Sequence, residues 1–242
     1  MTIRYYSAAF LFLGLASCSL QKSTTSAPPT AFLVATGANT SGKIGRLPFD
    51  HSWKNEAVNI SKYSHIAIRQ VSTAYLHKEQ WKDSYSADIT SSASYVKHCN
   101  ELASYFSSAL KRSFSGPGGR LALTDSSSGP NTLILEVALS EVTFGRPEGY
   151  VGAMAVPGGS IVNAAAASPM VAFEARIKDS ATGKVIATIS DRRGTRFKIV
   201  DFNQLTYTKA NEEICGEWSQ HLMQAANKEL FPKVKRTWFT PF

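Results

Sequence analysis

Apolar residues recur at helical spacing in two long segments of the chain. In residues 91–114 and again in residues 209–230 they return every three or four positions. This period gives each segment one apolar stripe and predicts two amphipathic helices. Glycines and a proline at 116–119 end the first helix, and Thr208 suits the N-cap of the second. The stripes comprise Val96, Cys99, Leu102, Ala103, Phe106, Leu110 and Phe114, and then Ile214, Trp218, Leu222, Ala225 and Ala226.

Strict alternation of apolar and polar residues predicts strands around these helices. Turn residues 179–183 join the last two strands into a β-hairpin. We therefore expect an α+β fold of two layers, a mostly antiparallel sheet with two amphipathic helices packed on one face. Phe106 and Trp218, at mid-stripe, should then be buried. The expected strands are 65–76 with a bulge near Gln70, 121–124, 133–140, 171–178 and 185–189.

The N-terminus has the order of a secretory signal peptide. One charge at Arg4 precedes an uncharged apolar run from Tyr5 to Leu15, and small residues lead to Cys18. Leu15-Ala16-Ser17-Cys18 resembles the bacterial lipobox, in which the cysteine is acylated and becomes the mature N-terminus. The alternatives are an ordinary secreted protein or a short membrane anchor with an incidental cysteine, but the apolar run is too short to span ~30 Å of hydrocarbon.

These signals divide the chain into three parts. Residues 1–17 are the lipoprotein signal peptide, residues 18–30 are the lipidated N-terminus with a flexible, polar and proline-bearing tether, and residues 31–242 form a single periplasmic α+β domain. We expect 31–63 to be a long arm on the domain surface with one short strand. By resemblance to enteric lipoproteins, Ser19 after the cysteine implies the outer membrane, facing the periplasm, with the lipid anchor as the membrane contact.

Composition and charge exclude a disordered protein and indicate which partners are available. The 242 residues are 43% hydrophobic, which excludes disorder over most of the length, and carry a formal charge of +8. Arg192, Arg193, Arg196 and Lys198 are candidates for contact with a polyanion, meaning lipid headgroups or peptidoglycan. Nucleic acid is excluded as a partner because an exported protein does not meet it. The simpler interpretation is a solvated basic face in which Asp191 pairs with a neighbouring arginine.

No motif for catalysis or metal binding is found in the sequence. The five histidines lack metal-ligand spacing, and neither a nucleophile motif nor a phosphate-binding loop occurs. We therefore predict no catalytic residue, no metal and no cofactor. Once Cys18 is acylated, Cys99 and Cys215 are the remaining thiols; they form either a disulfide across the two helices or two buried free thiols.

An uncharged segment lies between Glu148 and Glu174. Its many small residues and its prolines make it a poor spanning helix. It is either a buried helix or loop over the sheet, or a hairpin that contacts the membrane or forms an oligomer.

Several short motifs together resemble a known family. They are Phe32-Leu33, Lys62-Tyr63 leading into Ile66-Ala67-Ile68, the hairpin, and Asp191-Arg192-Arg193-Gly194 after it. In this order they are similar to a Gram-negative outer-membrane lipoprotein family that carries a domain-of-unknown-function label (DUF3313-like). The resemblance implies a lipid-anchored periplasmic α+β domain, and it brings no reaction or cofactor.

The function we expect is a non-enzymatic binding or structural module of the cell envelope. Its partner would be an unidentified envelope protein or peptidoglycan. The alternative is an oligomeric pore or secretion-system accessory subunit that uses the uncharged segment 149–173, and an enzyme with an unrecognised site is a third possibility.

Overall fold

A computed structural model describes residues 27–37, 47–77, 93–116, 119–143, 170–194 and 207–227. Both predicted long helices are present, and so is the predicted hairpin. In chain order the elements are α1 (Ala31–Val34), β1 (His51–Lys54), a 3₁₀ turn (Ile60–Lys62), β2 (His65–Ile68), α2 (Ala93–Phe114), β3 (Ala122–Leu123), β4 (Thr132–Thr143), β5 (Met170–Asp179), β6 (Val185–Gly194) and α3 (Tyr207–Asn227).

The described strands form one mixed sheet in the order β1-β6-β5-β4-β2-β3. β1, β6, β5 and β4 pair antiparallel in succession, whereas β2 runs parallel to both β4 and β3. The α+β class is confirmed, but the sheet is less antiparallel than the sequence suggested. The chain reaches β3 and β4 from β2 by way of α2, and a helical crossover returns a strand in parallel.

α2 and α3 pack together on one face of the sheet. The Phe173 ring of β5 lies 5.8 Å from Phe106 of α2 and 4.5 Å from Trp218 of α3, centroid to centroid. All three side chains are fully buried. The expectation that Phe106 and Trp218 share one core is therefore confirmed, and the apolar positions of β4, β5 and β6 supply the floor of that core.

Two details of the predicted pattern differ. Val96 is 51% exposed, because the buried stripe of α2 begins at Tyr95 and continues through Cys99 and Leu102. The strand expected at 65–76 ends at Ile68, although Ser72 still bridges to Ala138 in parallel. The chain therefore stays beside β4 after an interruption close to the expected bulge.

Both long helices begin at the same end of the sheet. The Tyr95 hydroxyl of α2 donates to the carbonyl of Val142 at 3.2 Å, and the Asn211 amide of α3 donates to that of Thr143 at 3.1 Å. We call this end, where β4 ends, β5 begins and β6 ends, the Thr143 end. The opposite end of the hairpin, where Ser180–Lys184 join β5 to β6, is the turn end.

A short N-terminal segment covers the other face of the sheet. Phe32 and Leu33 of α1 are buried against Ala138 of β4 and pack on Tyr75. We call residues 27–37 the strap. Thr30 is also buried, so the docked part of the chain includes a residue that the sequence placed in the tether.

Candidate functional site

Asp191 is the centre of a buried network on the helix side of the sheet. Its carboxylate accepts hydrogen bonds from Arg193 Nε at 2.7 Å, Trp218 Nε1 at 2.8 Å and the backbone N–H of Asp50 at 3.0 Å. A buried carboxylate is stable only with such donors, and those from charged groups are the strongest. Together with Glu217, these residues form what we call the Asp191 hub.

Arg193 is the cation of this hub and is only 4% exposed. Residues two apart on a strand share a face, so Asp191 and Arg193 of β6 both point toward α3. The guanidinium also donates to the carbonyl of Pro48 at 3.0 Å and to Glu217 at 3.1 Å, and lies 5.6 Å from the Trp218 ring centroid. The assignment of Arg193 to a solvated face is wrong, although Asp191 does pair with it as the alternative proposed.

Two titratable groups, Glu217 in the hub and His221 beside it, have shifted pKa values. Burial, with the Arg193 charge as a smaller cause, lowers the pKa of His221 to about 4, so the imidazole is neutral near pH 7. Burial raises the pKa of Glu217, although the charge of Arg193 opposes this rise. Nδ1 of His221 is buried without a hydrogen-bond partner among the described residues.

Arg192 points to the opposite face and is also committed to a carboxylate. Its Nε and Nη2 donate to the two oxygens of Glu141 at 2.6 and 2.8 Å, a bidentate pair. With Arg193 enclosed in the hub, neither of these two side chains is presented to a polyanion, contrary to the expected contact. Arg196 and Lys198 lie outside the described residues.

A second ion-pair group lies on the same face as Arg192. Arg176 and Lys178 of β5 both pair with Glu136 of β4, Lys178 at 2.9 Å. Burial alone would raise the pKa of Glu136, but the hydrogen bonds from the two cations outweigh it and hold this pKa below its usual value. This side of the sheet is therefore charged yet internally neutralised.

Glu174 fixes the strap to this face. Its carboxylate, almost fully buried, accepts from the backbone N–H of Thr30 at 2.6 Å and from the Thr30 hydroxyl at 2.5 Å. Burial raises the pKa of Glu174, while the bonds from Thr30 work in the opposite direction. The Thr30 oxygen also accepts from the N–H of Phe32 at 3.1 Å and so caps α1.

Arg176 of β5 binds the strap at Phe32, two residues after the contact of Thr30 with Glu174. Its Nη1 donates to the carbonyl of Phe32 at 2.9 Å, and its guanidinium lies 4.2 Å from the centroid of the Phe32 ring. The strap is thus held by one buried carboxylate, one cation and two apolar side chains.

The Lys62-Tyr63 pair contacts the hairpin turn. The Tyr63 hydroxyl donates to Asp179 at 2.5 Å, and Lys62 Nζ lies 3.4 Å from the same oxygen. The other oxygen accepts from the N–H groups of Ala181 and Thr182. The hydrogen bond from Tyr63 is the largest cause that lowers the pKa of Asp179 to about 2. Each short motif behind the family resemblance is therefore a contact point of the fold.

The space between these clusters is small. A cavity of about 10 Å³ lies between Glu174 and Asp191 and is lined by Ala27, Ser140 and Ser190 among others. This volume is about the minimum that a cavity needs to hold a single water molecule. The space between these two carboxylates therefore holds no more than a single water molecule.

The thiols form no disulfide in the part of the chain that the structure describes. Cys99 and Cys215 are both buried as free thiols, which is the second of the two alternatives for them. Burial raises the pKa of Cys99 to about 11, so it is protonated near neutral pH. Within the same residues, no group of three or more His, Cys, Asp or Glu side chains is placed to hold a metal ion.

Other sequence-based assignments lie outside the described residues. These are the signal peptide, Cys18 and the uncharged segment, except for Met170–Phe173, which belong to β5. A helix long and apolar enough to cross a membrane is not found among the residues that the structure describes.

Sequence reasoning missed the hub and the strap contact for different reasons. Asp191 and Arg193 have the same parity as the apolar Ala187 and Ile189, so extending the predicted strand past residue 189 would have placed them toward the core. Glu174 has the parity of the polar face, and its carboxylate is bound there by Thr30 of the distant strap. That contact has no local signal.

Comparison with known proteins gives one family match. A family model described as "Protein of unknown function (DUF3313)" matches residues 47–222. A search of curated proteins returns no match.

Solved structures with a similar arrangement are distant. The PelC dodecamer from Paraburkholderia phytofirmans is 9% identical, with 71% of this chain and 94% of that chain covered and a TM-score of 0.36. Protein XCC0632 from Xanthomonas campestris is 10% identical, with coverage of 73% and 92% and a TM-score of 0.34. A minor lipoprotein from Acinetobacter baumannii is 10% identical, with coverage of 71% and 98% and a TM-score of 0.32. At these scores the likenesses carry no argument about function.

Proposed function

Since the chain belongs to the DUF3313 family of proteins of unknown function, its own residues must indicate its role, and we propose a lipid-anchored module of the bacterial cell envelope. The module is non-enzymatic and binds or supports another envelope component. It is acylated at Cys18 and, by its Ser19, sorted to the outer membrane with the domain facing the periplasm. The lipobox sequence Leu15-Ala16-Ser17-Cys18 supports the anchor.

The observation that carries the structural role is the docking of the strap. The strap is bound to the domain by Glu174, by Arg176 and by the apolar cluster around Ala138. These contacts attach the start of the described chain, the part nearest Cys18 in sequence, firmly to the domain. The ion pairs of the sheet also support a structural role. Asp191, Glu136 and Glu141 each form an ion pair with an arginine of the same domain.

Metabolic labelling with palmitate tests the anchor. The wild-type chain should incorporate label and sediment with the outer-membrane fraction, and Cys18→Ala should lose both properties. Ser17→Ala is the matched control, since it keeps a small residue before the cysteine and should retain the label. An unlabelled wild-type chain would contradict the anchor.

The partner class is tested with purified peptidoglycan sacculi. If peptidoglycan is the partner, the full chain in detergent should co-sediment with them; a chain that remains in the supernatant leaves an envelope protein as the partner. Light scattering on the same sample gives the mass. The mass of a discrete ring would contradict the binding module and favour the oligomeric pore or secretion-system accessory subunit.

A further inference from the structure

We infer that the strap fixes the orientation of the domain on the membrane, with the Thr143 end toward the bilayer and the turn end directed away from it. This inference rests on the proposed lipid anchor and adds which surface of the protein faces the lipid. It follows from the direction in which the strap crosses the sheet.

Contacts along the strap define that direction. Pro28 offers its carbonyl to His77 Nε2 at 3.0 Å, and the backbone N–H of His77 donates to the carbonyl of Ser140 at 2.9 Å. Ser140 lies beyond Ala138 on the way to Thr143. The beginning of the strap therefore lies on the Thr143 side of the contact between Thr30 and Glu174.

The later part of the strap lies nearer the turn. The carbonyl of Phe32 is bound by Arg176, two residues after Glu174 on β5 and paired with Glu136 on β4. Between Thr30 and Phe32 the chain has therefore moved along β5 toward Asp179. Followed backwards from Thr30, the described part of the strap runs in the direction of the Thr143 end.

The direction of the strap is important because the tether and the sheet have similar lengths. Nine residues lie between Cys18 and Pro28, and the ten steps from one to the other span at most about 35 Å when fully extended. β5 alone, Met170–Asp179, is about 30 Å long. Because the tether is about as long as the sheet, a strap that runs toward the Thr143 end favours that end of the domain as the one nearer the lipid.

Energy transfer from the protein to the bilayer tests the orientation. A donor dye is attached to Lys209→Cys, at the exposed start of α3, or to Ala181→Cys, in the exposed turn. Each lipidated full chain is placed in vesicles of phosphatidylethanolamine and phosphatidylglycerol with a headgroup acceptor. The wild-type chain in the same labelling reaction gives the background from Cys99 and Cys215, which are buried.

Transfer should be greater from Lys209→Cys than from Ala181→Cys. Equal or reversed efficiencies would overturn the orientation. Flotation of the same vesicles separates this failure from failure of the anchor: a chain that does not float contradicts the proposed function, whereas a chain that floats with equal transfer contradicts the orientation alone.

A double substitution in the strap tests whether the strap causes the orientation. Thr30→Val with Phe32→Ala removes the hydroxyl bond to Glu174 and the ring beneath Arg176, so the two efficiencies should converge while flotation is unchanged. Val34→Ala is the matched control, because Val34 lies on the same strap but is 60% exposed. A difference that survives in a folded strap variant would show that the strap does not set the orientation. If that variant fails to fold, the comparison in the wild-type background still decides.

Discussion

Trp218 donates its indole N–H to the carboxylate of Asp191 at 2.8 Å, and both side chains are closed to solvent. The same indole contacts Phe173 and Phe106, so one residue belongs to both the apolar core and the hub. Packing of α3 on the sheet and neutralisation of a buried charge are therefore coupled at one side chain.

Trp218→Phe should separate these two contributions. Phenylalanine keeps most of the ring contacts but removes a donor from Asp191, and a buried acceptor that loses a partner costs about 1–3 kcal/mol. We expect a lower urea midpoint than that of the wild type. A midpoint equal to the wild-type value would mean that the indole bond contributes nothing to stability.

Phe106→Ala tests the shared core. Removal of the fully buried ring should reduce the free energy of unfolding by about 3–5 kcal/mol, through lost transfer energy and the cavity left behind. Lys97→Ala on the exposed side of α2 is the control and should stay within about 0.5 kcal/mol. Equal, small losses for both variants in urea titrations would contradict the packing of α2 on the sheet.

Arg193→Gln should be among the most damaging single changes. It leaves Asp191 and Glu217 without their cation, and removal of one partner of a buried ion pair typically costs about 3–5 kcal/mol. Lys184→Gln, an exposed cation in the hairpin turn, serves as the charge-matched control with an expected cost within about 0.5 kcal/mol. Indistinguishable urea midpoints for these two variants would count against the hub.

His221 should contribute a pH dependence of stability. Its pKa is about 4 in the folded chain and about 6.5 when unfolded, so the unfolded chain binds the proton more readily between these values. Stability is therefore present above pH 6.5 and is lost as the pH falls toward 4, at up to about 1.4 kcal/mol per pH unit. Comparing wild type with His221→Gln by urea unfolding at several pH values isolates this contribution; parallel curves would contradict it.

Tyr63→Phe should act in more acidic solution. Asp179 has its pKa lowered to about 2, chiefly by the bond from Tyr63, so the stability that it contributes is lost as the pH falls from about 4 to 2. Loss of the hydroxyl should raise the pKa of Asp179, move acid unfolding to higher pH and cost about 0.5–1.5 kcal/mol at neutral pH. NMR titration of the Asp179 carboxyl measures the shift, and an unchanged value would refute it.

Local periodicity was enough to predict the helices and the hairpin. The stripe from Cys99 to Phe114 and the alternation on either side of residues 179–183 each depend on neighbours in sequence, and the structure has them where the pattern placed them. The sheet order was not predictable in this way. β2 pairs with β4 in parallel, and a strand of only four residues, His65–Ile68, does not encode the direction of a distant partner.

Charged residues were the weakest part of the prediction. Arg192 and Arg193 are adjacent and chemically alike, yet they point to opposite faces and neutralise different carboxylates. A count of basic residues treats them as one patch, whereas the two-residue period of a strand separates them. The contact of Thr30 with Glu174 lay beyond any sequence rule, because the two residues are 144 positions apart.

That separation also constrains the order in which the chain can fold. The N-terminal segments are synthesised first, but their partners come late in the chain. His51 of β1 pairs with Ser190 of β6, and Thr30 of the strap binds Glu174 of β5. β1 and the strap therefore lack these partners until the hairpin exists, and closing such long loops is slow. β1 can therefore pair with the sheet only after β6 of the hairpin has been synthesised. A chain truncated before residue 185 would lack the edge that β1 requires, and we expect it to be a substrate for proteases rather than a smaller stable domain.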